Sequence, residues 1–183
     1  MARYVKMHKL PKVEQVAVKG NVRALEAKDL QEVWVLMNKF MMKFKVKFMY
    51  SKKELGHLLL QRENVIHSFV VEDPASKKVT DFFSFYILPF QVLSKNNPHQ
   101  KIITAYSFYN ATSVNEMEDL MKMALLKARD LQVDVFNALN IMDNHKFLDS
   151  LKFSEGDGHL YYYLYNWKLK EGLTPEDIAT ILL

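Results

Sequence analysis

The amino-acid sequence predicts a mixed α/β (α+β) fold, in which a largely antiparallel sheet is flanked by helices. Three strand-like segments follow one another at residues 65–73, 79–88 and 101–110, separated by turn residues, as in an antiparallel meander. Helical segments lie on either side of them, at about 29–43 and 113–131, with apolar residues every three to four positions. Apolar faces of strands and helices need partners, which favours one layered domain, residues 1–183.

The elements before the meander are shorter. Strand-like residues 3–10 and the segment NVRAL at 21–25 precede the first helix. Ser51 and Glu54 have the spacing of a capping box, in which each side chain satisfies a backbone N–H of the other. They predict a second, short helix.

The last third of the chain predicts alternating elements. Ser113 and Glu116 repeat the capping-box spacing at the start of the helix that ends near residue 131. After that helix we expect a strand at 133–139, a short helix at 144–151, a strand at 151–153, a turn at 155–158, an aromatic strand at 159–169 and a terminal helix.

The terminal segment has an unusual composition for a chain end. Thr174 is a suitable N-cap and Pro175 a suitable first helical residue, and the sequence then closes on Ile181, Leu182 and Leu183. Burying those side chains draws the α-carboxylate away from water, which costs free energy unless the charge is paired or used. We therefore expect this carboxylate to have a role.

Basic residues invite a nucleic-acid interpretation, because the net charge is +4 and four lysines occur between residues 39 and 47. Lys45 and Lys47 alternate with apolar residues, however, as on a strand with one solvated face. A solvated edge strand that discourages aggregation is the simpler interpretation, and we expect no nucleic-acid partner.

Composition excludes several kinds of site. The chain has no cysteine, which removes thiolate nucleophiles and Cys-ligated zinc and fits a cytoplasmic setting. Its six histidines are scattered without helical metal-site spacing, so no metal is expected. A Gly-rich phosphate loop is missing, and the longest early charge-free run, 82–93, is too short to span a membrane.

Several segments resemble the protein N-myristoyltransferase family. The turn KFSEGDG at 152–158 is similar to the family signature K-F-G-x-G-D-G, with Ser154 in place of its first glycine, and LYYYLYNWK after it resembles the next family strand. In the same order as in the family, the chain also contains YVKMHKLP, VVEDPASKKVTDFFSFYILP, AYSFYN, DVFNALNIMDN and a hydrophobic terminus, so the resemblance covers essentially the whole chain.

The resemblance implies a glycylpeptide N-tetradecanoyltransferase, which moves myristate from myristoyl-CoA to the amino group of an N-terminal glycine. The family has two related halves with an acyl-CoA N-acyltransferase (GNAT)-like fold. This chain corresponds to the C-terminal, peptide-binding half, and the N-terminal half, which binds the myristoyl-CoA co-substrate, is absent. No cofactor is expected in this part alone, and the isolated chain should be inactive.

Family resemblance also assigns site residues. The α-carboxylate of Leu183 would be the general base that deprotonates the glycine ammonium. The peptide groove would be formed by Tyr86, Phe90, Tyr106, Asn137, Asp157, Gly158 and Leu160. Phe90 stands where many members have serine, and Ala179 where glycine is common, so this groove and this tail differ from the family pattern.

Two further expectations concern partners. One alternative is a stand-alone, non-enzymatic module that binds glycine-initiated or basic peptides. If the chain is instead half of an enzyme, the surface that meets the missing half should be apolar, and aromatic residues 161–167 are the candidates. We then expect the isolated chain to self-associate.

Overall fold

The computed structural model describes residues 9–93 and 100–181. Within these ranges the helices are α1 (Leu30–Met41), α2 (Lys52–Leu59), α3 (Met117–Asp130) and α4 (His145–Leu148). The strands are β1 (Asn21–Ala24), β2 (Val46–Lys47), β3 (Ile66–Glu72), β4 (Val79–Gln91), β5 (Lys101–Ala111), β6 (Val135–Asn137) and β7 (Ile178–Ala179). The predicted strand at 3–10 lies largely outside the described residues.

Five of these strands form one sheet in the order β1-β3-β4-β5-β6. The pairs from β1 to β5 are antiparallel, which confirms the predicted meander. β6 pairs with β5 in parallel, because α3 carries the chain back between them, as parallel neighbours require. A mostly antiparallel sheet with flanking helices is the predicted fold class.

Helices cover both faces of the sheet. On one side, which we call the α1 face, α1 and α2 bury Val33, Met37 and Leu55 against Phe82 of β4 and Phe108 of β5. On the other side, the α3 face, buried side chains of α3 pack against apolar residues of β3, β4 and β5. Because a core covers each face of the sheet, consecutive residues in the middle of β4 are buried on both faces. The strand therefore does not alternate between buried and exposed residues.

One of the two predicted capping boxes is present. The Glu54 carboxylate accepts a hydrogen bond from the Ser51 backbone N–H at 2.8 Å, and Ser51 Oγ accepts one from Glu54 N–H at 3.3 Å. The second prediction was wrong. Ser113 instead donates its backbone N–H to Asp81 at 2.9 Å and its hydroxyl to the Thr80 carbonyl, so α3 begins later, at Met117.

The buried carboxylate of Asp81 is the reason for that difference. It accepts hydrogen bonds from the backbone N–H groups of Ser113, Val114 and Asn115 at 2.9, 3.1 and 3.1 Å. A buried carboxylate needs several donors, and the turn before α3 supplies them. Hydrogen bonds to the distant Asp81 carboxylate therefore form in place of the capping box predicted for Ser113 and Glu116.

The last third differs most from the prediction. Residues 151–153 and 159–169 form no strand, and the helix expected at 144–151 is confined to α4. The expected terminal helix is a single 3-10 turn, Pro175–Asp177, followed by β7, which pairs in parallel with β2. Thr174 is the N-cap of this turn, as predicted, but the free edge of β2 and the β-branched residues after the turn favour a strand.

Candidate functional site

Three of the predicted groove residues lie in one row across the sheet. Tyr86 of β4 is the register partner of Tyr106 of β5, and Tyr106 is the register partner of Asn137 of β6. Register partners point to the same side of a sheet. The two tyrosine rings are stacked, with centroids 5.3 Å apart and planes within 10°. We call these three half-buried residues the tyrosine row.

Ring contacts connect the row to the interior of the α1 face. Tyr86 meets Phe108 edge to face, with centroids 5.8 Å apart, and Phe108 meets Tyr109 at 4.6 Å. Phe108 and Tyr109 are neighbours in the sequence, and neighbours in a regular strand point to opposite faces. Here both are buried on the α1 face.

A β-bulge explains this arrangement. Between the pairs Phe83–Asn110 and Phe85–Ser107, β4 contributes one residue, Ser84, and β5 contributes two. The extra residue turns Tyr109 to the face that already holds Phe108, and bulges commonly redirect a side chain in this way.

Polar side chains satisfy the backbone groups that the bulge leaves unpaired. Ser84 Oγ donates to the Tyr109 carbonyl at 2.8 Å, and Ser84 N–H donates to Asn110 Oδ1 at 3.2 Å. Asn110 Nδ2 in turn donates to Ser107 Oγ at 2.9 Å. These buried polar residues stabilise the bulge, because buried backbone groups without a partner cost free energy.

The bulge brings Tyr109 to the end of the described chain. Ala179, Thr180 and Ile181 are buried, and Ile181 belongs to the α1-face core. The Tyr109 hydroxyl accepts a hydrogen bond from Ile181 N–H at 3.4 Å. The burial expected of the hydrophobic terminus is thus present as far as Ile181, while Leu183, the predicted base, lies outside the described residues.

Further contacts fix the terminal segment. The Met142 N–H donates to the Ile178 carbonyl at 3.0 Å, and the Lys45 N–H donates to the Asp177 carbonyl at 2.9 Å. Lys45 also forms an ion pair with Asp177 at 3.1 Å. The tail is therefore held in place from two other parts of the chain.

Tyrosine hydroxyl groups in the row and around the tail remain protonated near neutral pH. Burial raises the pKa of Tyr109, and its hydrogen bond with Tyr50 acts in the same direction. Burial also raises the pKa of Tyr86 and of Tyr162. These side chains consequently act as neutral hydrogen-bonding groups, and none of the three is suited to serve as a base.

The remaining predicted groove residues are exposed. Phe90 lies four positions after Tyr86 in a regular part of β4, hence on the same face, near the open end of the strand. Asp157, Gly158 and Leu160 lie in the segment after α4, where Leu160 has 68% of its surface exposed. The structure therefore unites Tyr86, Tyr106, Asn137 and Phe90 on one face, and leaves the GDG segment in solvent.

The glycines of that segment do not adopt the backbone conformation for which a tight turn needs glycine. Neither Gly156 nor Gly158 adopts a positive φ, and a Cβ atom placed on either would meet nothing within 4 Å. Backbone strain thus does not require glycine at these two positions in this structure.

A cavity of about 510 Å³ lies elsewhere, between α1 and α2. It is an open depression with an apolar floor, and it is lined by Leu30, Lys52, Lys53, Gly56, His57, Leu60 and Arg62. No residue of the tyrosine row lines it, so this cavity is separate from the candidate site.

Lysines of the 39–47 segment make contacts within the chain. Lys43 forms an ion pair with Asp143 at 2.6 Å and lies 3.8 Å from the centre of the Phe40 ring. Lys47 donates to the Phe44 carbonyl at 2.7 Å, and Lys45 is bound to Asp177. These contacts give three of the four lysines a structural role.

The described residues, 9–93 and 100–181, contain no candidate metal site and no candidate membrane span. In these ranges the His, Asp and Glu side chains form no group of three that could hold a metal ion. The helices found there are too short or too polar to cross a membrane.

Sequence reasoning did not identify Tyr50, Tyr109 and Tyr162 as site residues. The signal for Tyr109 was present in the segment SFYN, where two aromatic residues stand side by side between polar ones. Such a break in strand alternation indicates a bulge. Tyr50 and Tyr162 carried no comparable signal, because their proximity to the tail depends on tertiary packing.

Comparison with known proteins gives consistent results. A family model described as "Myristoyl-CoA:protein N-myristoyltransferase, C-terminal domain" matches residues 1–181. Glycylpeptide N-tetradecanoyltransferase 1 of Arabidopsis thaliana is 39% identical over 183 residues, and the Drosophila melanogaster glycylpeptide N-tetradecanoyltransferase is 41% identical over 184. Both matches cover 100% of this chain but 41% and 38% of those proteins, so the chain spans about two-fifths of their length.

Solved structures agree on the fold. Saccharomyces cerevisiae N-myristoyltransferase with bound myristoyl-CoA superposes with a TM-score of 0.77 at 31% identity, over 86% of this chain and 42% of that one. A ribosomal-protein-alanine N-acetyltransferase from Brucella melitensis biovar Abortus 2308 gives 0.55 at 12% identity, over 79% and 99%. The second match shows the fold alone, and it confirms the predicted N-acyltransferase-like architecture.

Proposed function

This chain belongs to the protein N-myristoyltransferase family, as its C-terminal domain, and we propose on that basis that it forms the peptide-binding half of a glycylpeptide N-tetradecanoyltransferase. The whole protein transfers myristate from myristoyl-CoA to the N-terminal glycine of a protein or peptide. The other half, which precedes this domain, binds the acyl-CoA. The full reaction requires both halves.

The observation that carries this proposal is the burial of the last described residues, 179–181. Ile181 is buried in the same α1-face core as Phe108 and Tyr109, and ring contacts lead from there to Tyr86 and Tyr106. A tail that is buried in this way, and that is connected through Tyr109 and Phe108 to a row of polar aromatic residues, suits a site where a terminal group meets a bound peptide.

Proton transfer is the task we assign to the Leu183 carboxylate. A glycine ammonium has no lone pair and must lose a proton before it attacks a thioester, so a base has to lie within hydrogen-bond reach. A free α-carboxyl has a pKa of about 3.3–3.7 and is a weak base, but partial burial would raise this value towards neutral pH. Neutral tyrosines nearby would leave the carboxylate as the proton acceptor.

Peptide binding is the task we assign to the tyrosine row and its surroundings. The stacked rings of Tyr86 and Tyr106, with Asn137 beside them, offer flat apolar surface and polar edges to an extended peptide. Phe90 extends this surface towards solvent. The exposed Asp157 would pair with a basic side chain further along the peptide.

The experiment that tests the function is acyl transfer to a glycine-initiated peptide. Myristoyl-CoA and the peptide are mixed with this chain alone, and with this chain plus the N-terminal half of a relative added in trans. We expect product only with both halves, and none after deletion of Leu183. A peptide that starts with alanine in place of glycine is the control substrate.

Other results would change the proposal. Activity of this chain alone, or saturable binding of myristoyl-CoA to it at about micromolar concentration, would mean that the coenzyme site lies in this half. Peptide binding without activity under any condition would favour the stand-alone recognition module.

A further inference from the structure

We propose that the hydroxyl groups of Tyr109 and Tyr162 hold the Thr180–Ile181 peptide group from both sides and thereby position the end of the chain for catalysis. This inference rests on the proposed function, because it assigns the clamp a purpose in that reaction. Tyr109 and Tyr162 are positioning residues in this scheme, since they act through the backbone and not on the substrate.

The geometry of the clamp involves a single peptide unit. Tyr162 Oη donates to the Thr180 carbonyl at 2.7 Å, while Tyr109 Oη accepts from Ile181 N–H at 3.4 Å. The carbonyl of residue 180 and the N–H of residue 181 belong to the same planar group and point in opposite directions. Two hydroxyls on opposite sides therefore fix the orientation of that plane.

The supports of the clamp come from separate parts of the fold. Tyr109 is placed by the bulge in β5 and is almost fully buried. Its hydroxyl lies 3.2 Å from that of Tyr50, whose backbone carbonyl accepts a hydrogen bond from Trp34 Nε1 of α1 at 2.8 Å. Tyr162 comes from the segment after α4 and is half-buried between exposed neighbours. The Thr180–Ile181 peptide group is thus held by β5 and by the segment after α4, and α1 supports Tyr109 through Tyr50.

Hydrogen bonding explains why tyrosine is needed at position 109. Its oxygen accepts the Ile181 N–H, so phenylalanine would leave a buried donor without a partner. Because a phenol both donates and accepts, it can serve this N–H and the Tyr50 hydroxyl at once. A hydroxyl that remains protonated also adds no charge beside the proposed terminal base.

Position matters because Leu183, whose carboxylate is the proposed base, lies two residues beyond Ile181 in the sequence. The direction of a rigid plane largely sets where the next two residues can go. Displacing a reacting group by about 1 Å can lower a rate on the order of 100-fold. A clamp at this point would therefore affect the rate of the chemical step more than the binding of either substrate.

The test uses Tyr109→Phe and Tyr162→Phe in a full-length protein that contains this domain and in the 183-residue chain. We expect each substitution to lower kcat at least about 10-fold, with KM for peptide and for myristoyl-CoA within about twofold of wild type. The double variant should lose less than the product of the two effects, because both hydroxyls act on one group. In the chain itself, exchange of the Ile181 amide hydrogen should become at least about 10-fold faster in Tyr109→Phe.

Two controls separate positioning from general destabilisation. Ser76→Ala removes an exposed hydroxyl in the turn between β3 and β4, away from the clamp, and should leave kcat unchanged. Val71→Ala makes a cavity in the α3-face core, away from the clamp, and should reduce stability without a selective effect on kcat or on exchange at Ile181.

Each remaining outcome decides one of the two proposals. If wild type is active and Tyr109→Phe has the same kcat, or if Val71→Ala lowers kcat as much, the clamp does not position the terminus. If the wild-type full-length protein is inactive, or if it keeps its activity after deletion of Leu183, the proposed function fails. The exchange rate of Ile181 then still decides whether the clamp exists, since an unchanged rate would refute it.

Discussion

Asp29 shows how a single buried charge is stabilised in this domain. Its side chain is only 5% exposed, yet it accepts two hydrogen bonds from the Arg23 guanidinium, at 2.6 and 2.8 Å, and one from Glu26 N–H at 2.9 Å. Arg23 also binds Glu72, so the pair connects β1, β3 and the start of α1. Burial tends to raise the pKa of Asp29, but the hydrogen bonds from Arg23 and Glu26 outweigh it, and the net pKa is lowered.

A pH dependence of stability follows from that lowered pKa. A group whose pKa is lower in the folded than in the unfolded state stabilises the fold above the unfolded value, about 3.9 for Asp, and loses this contribution as pH falls through the folded value. We expect Asp29→Asn to reduce the free energy of unfolding at neutral pH. The difference in this free energy between wild type and Asp29→Asn should become smaller below about pH 4.

Urea denaturation at several pH values measures this gap. Asp130→Asn is the matched control, because Asp130 is an exposed carboxylate at the end of α3 whose surface ion pair with Arg129 contributes little. A gap of equal size in neutral and acidic solution would contradict the assignment of the stabilisation to the Asp29 charge.

At the scale of elements, α2 is a helix whose start was predicted from a local capping box, and the contribution of that box to stability can be measured. Ser51 caps this helix in the predicted reciprocal arrangement with Glu54. We expect Ser51→Ala to lower the free energy of unfolding by about 1 kcal/mol, whereas Ser51→Thr, which keeps the hydroxyl, should stay close to wild type. Thermal or urea denaturation gives the answer, and an unchanged stability of Ser51→Ala would show that tertiary packing alone maintains α2.

Elements with strong periodicity were predicted well, and elements that depend on partners were not. Helix α1 and the three meander strands could be predicted from residue spacing, because the apolar residues of each recur at the period of a helix or a strand and define the face that is buried. The tail was expected to be a helix, since Thr174 and Pro175 are good start signals. It becomes β7 because β2, far away in the sequence, offers a backbone edge.

The candidate site was also predicted in part. Tyr86, Tyr106 and Asn137 were named through the family resemblance, and their shared row follows from the strand register. Their role in peptide binding stays a prediction. The bulge and the two clamping tyrosines could not be derived, because they depend on which residues of distant segments meet.

For the whole molecule, the exposed aromatic segment has the clearest consequence. Tyr163, Tyr165 and Trp167 are 87%, 99% and 72% exposed, which is unusual for such large side chains close together. In the proposed enzyme such a surface would be covered by the other half. The isolated chain has no such cover.

We therefore expect the isolated chain to self-associate through these three side chains. Light scattering or sedimentation should show species larger than a monomer as concentration rises. Replacing the three residues by serine should restore the monomer, whereas Tyr161→Phe, which keeps its ring, should not. A wild-type chain that stays monomeric at high concentration would contradict this prediction.

The sequence by itself determined the fold class, the order of the sheet-forming segments and the family, because periodic apolar faces and short motifs are local properties that residues carry with them. Tertiary structure alone decided the bulge, the strand at the tail, the turn held by Asp81 and the clamp on the Thr180–Ile181 peptide group. Each of these satisfies buried polar groups with partners from distant parts of the chain, and such partners become known only when the segments are packed together.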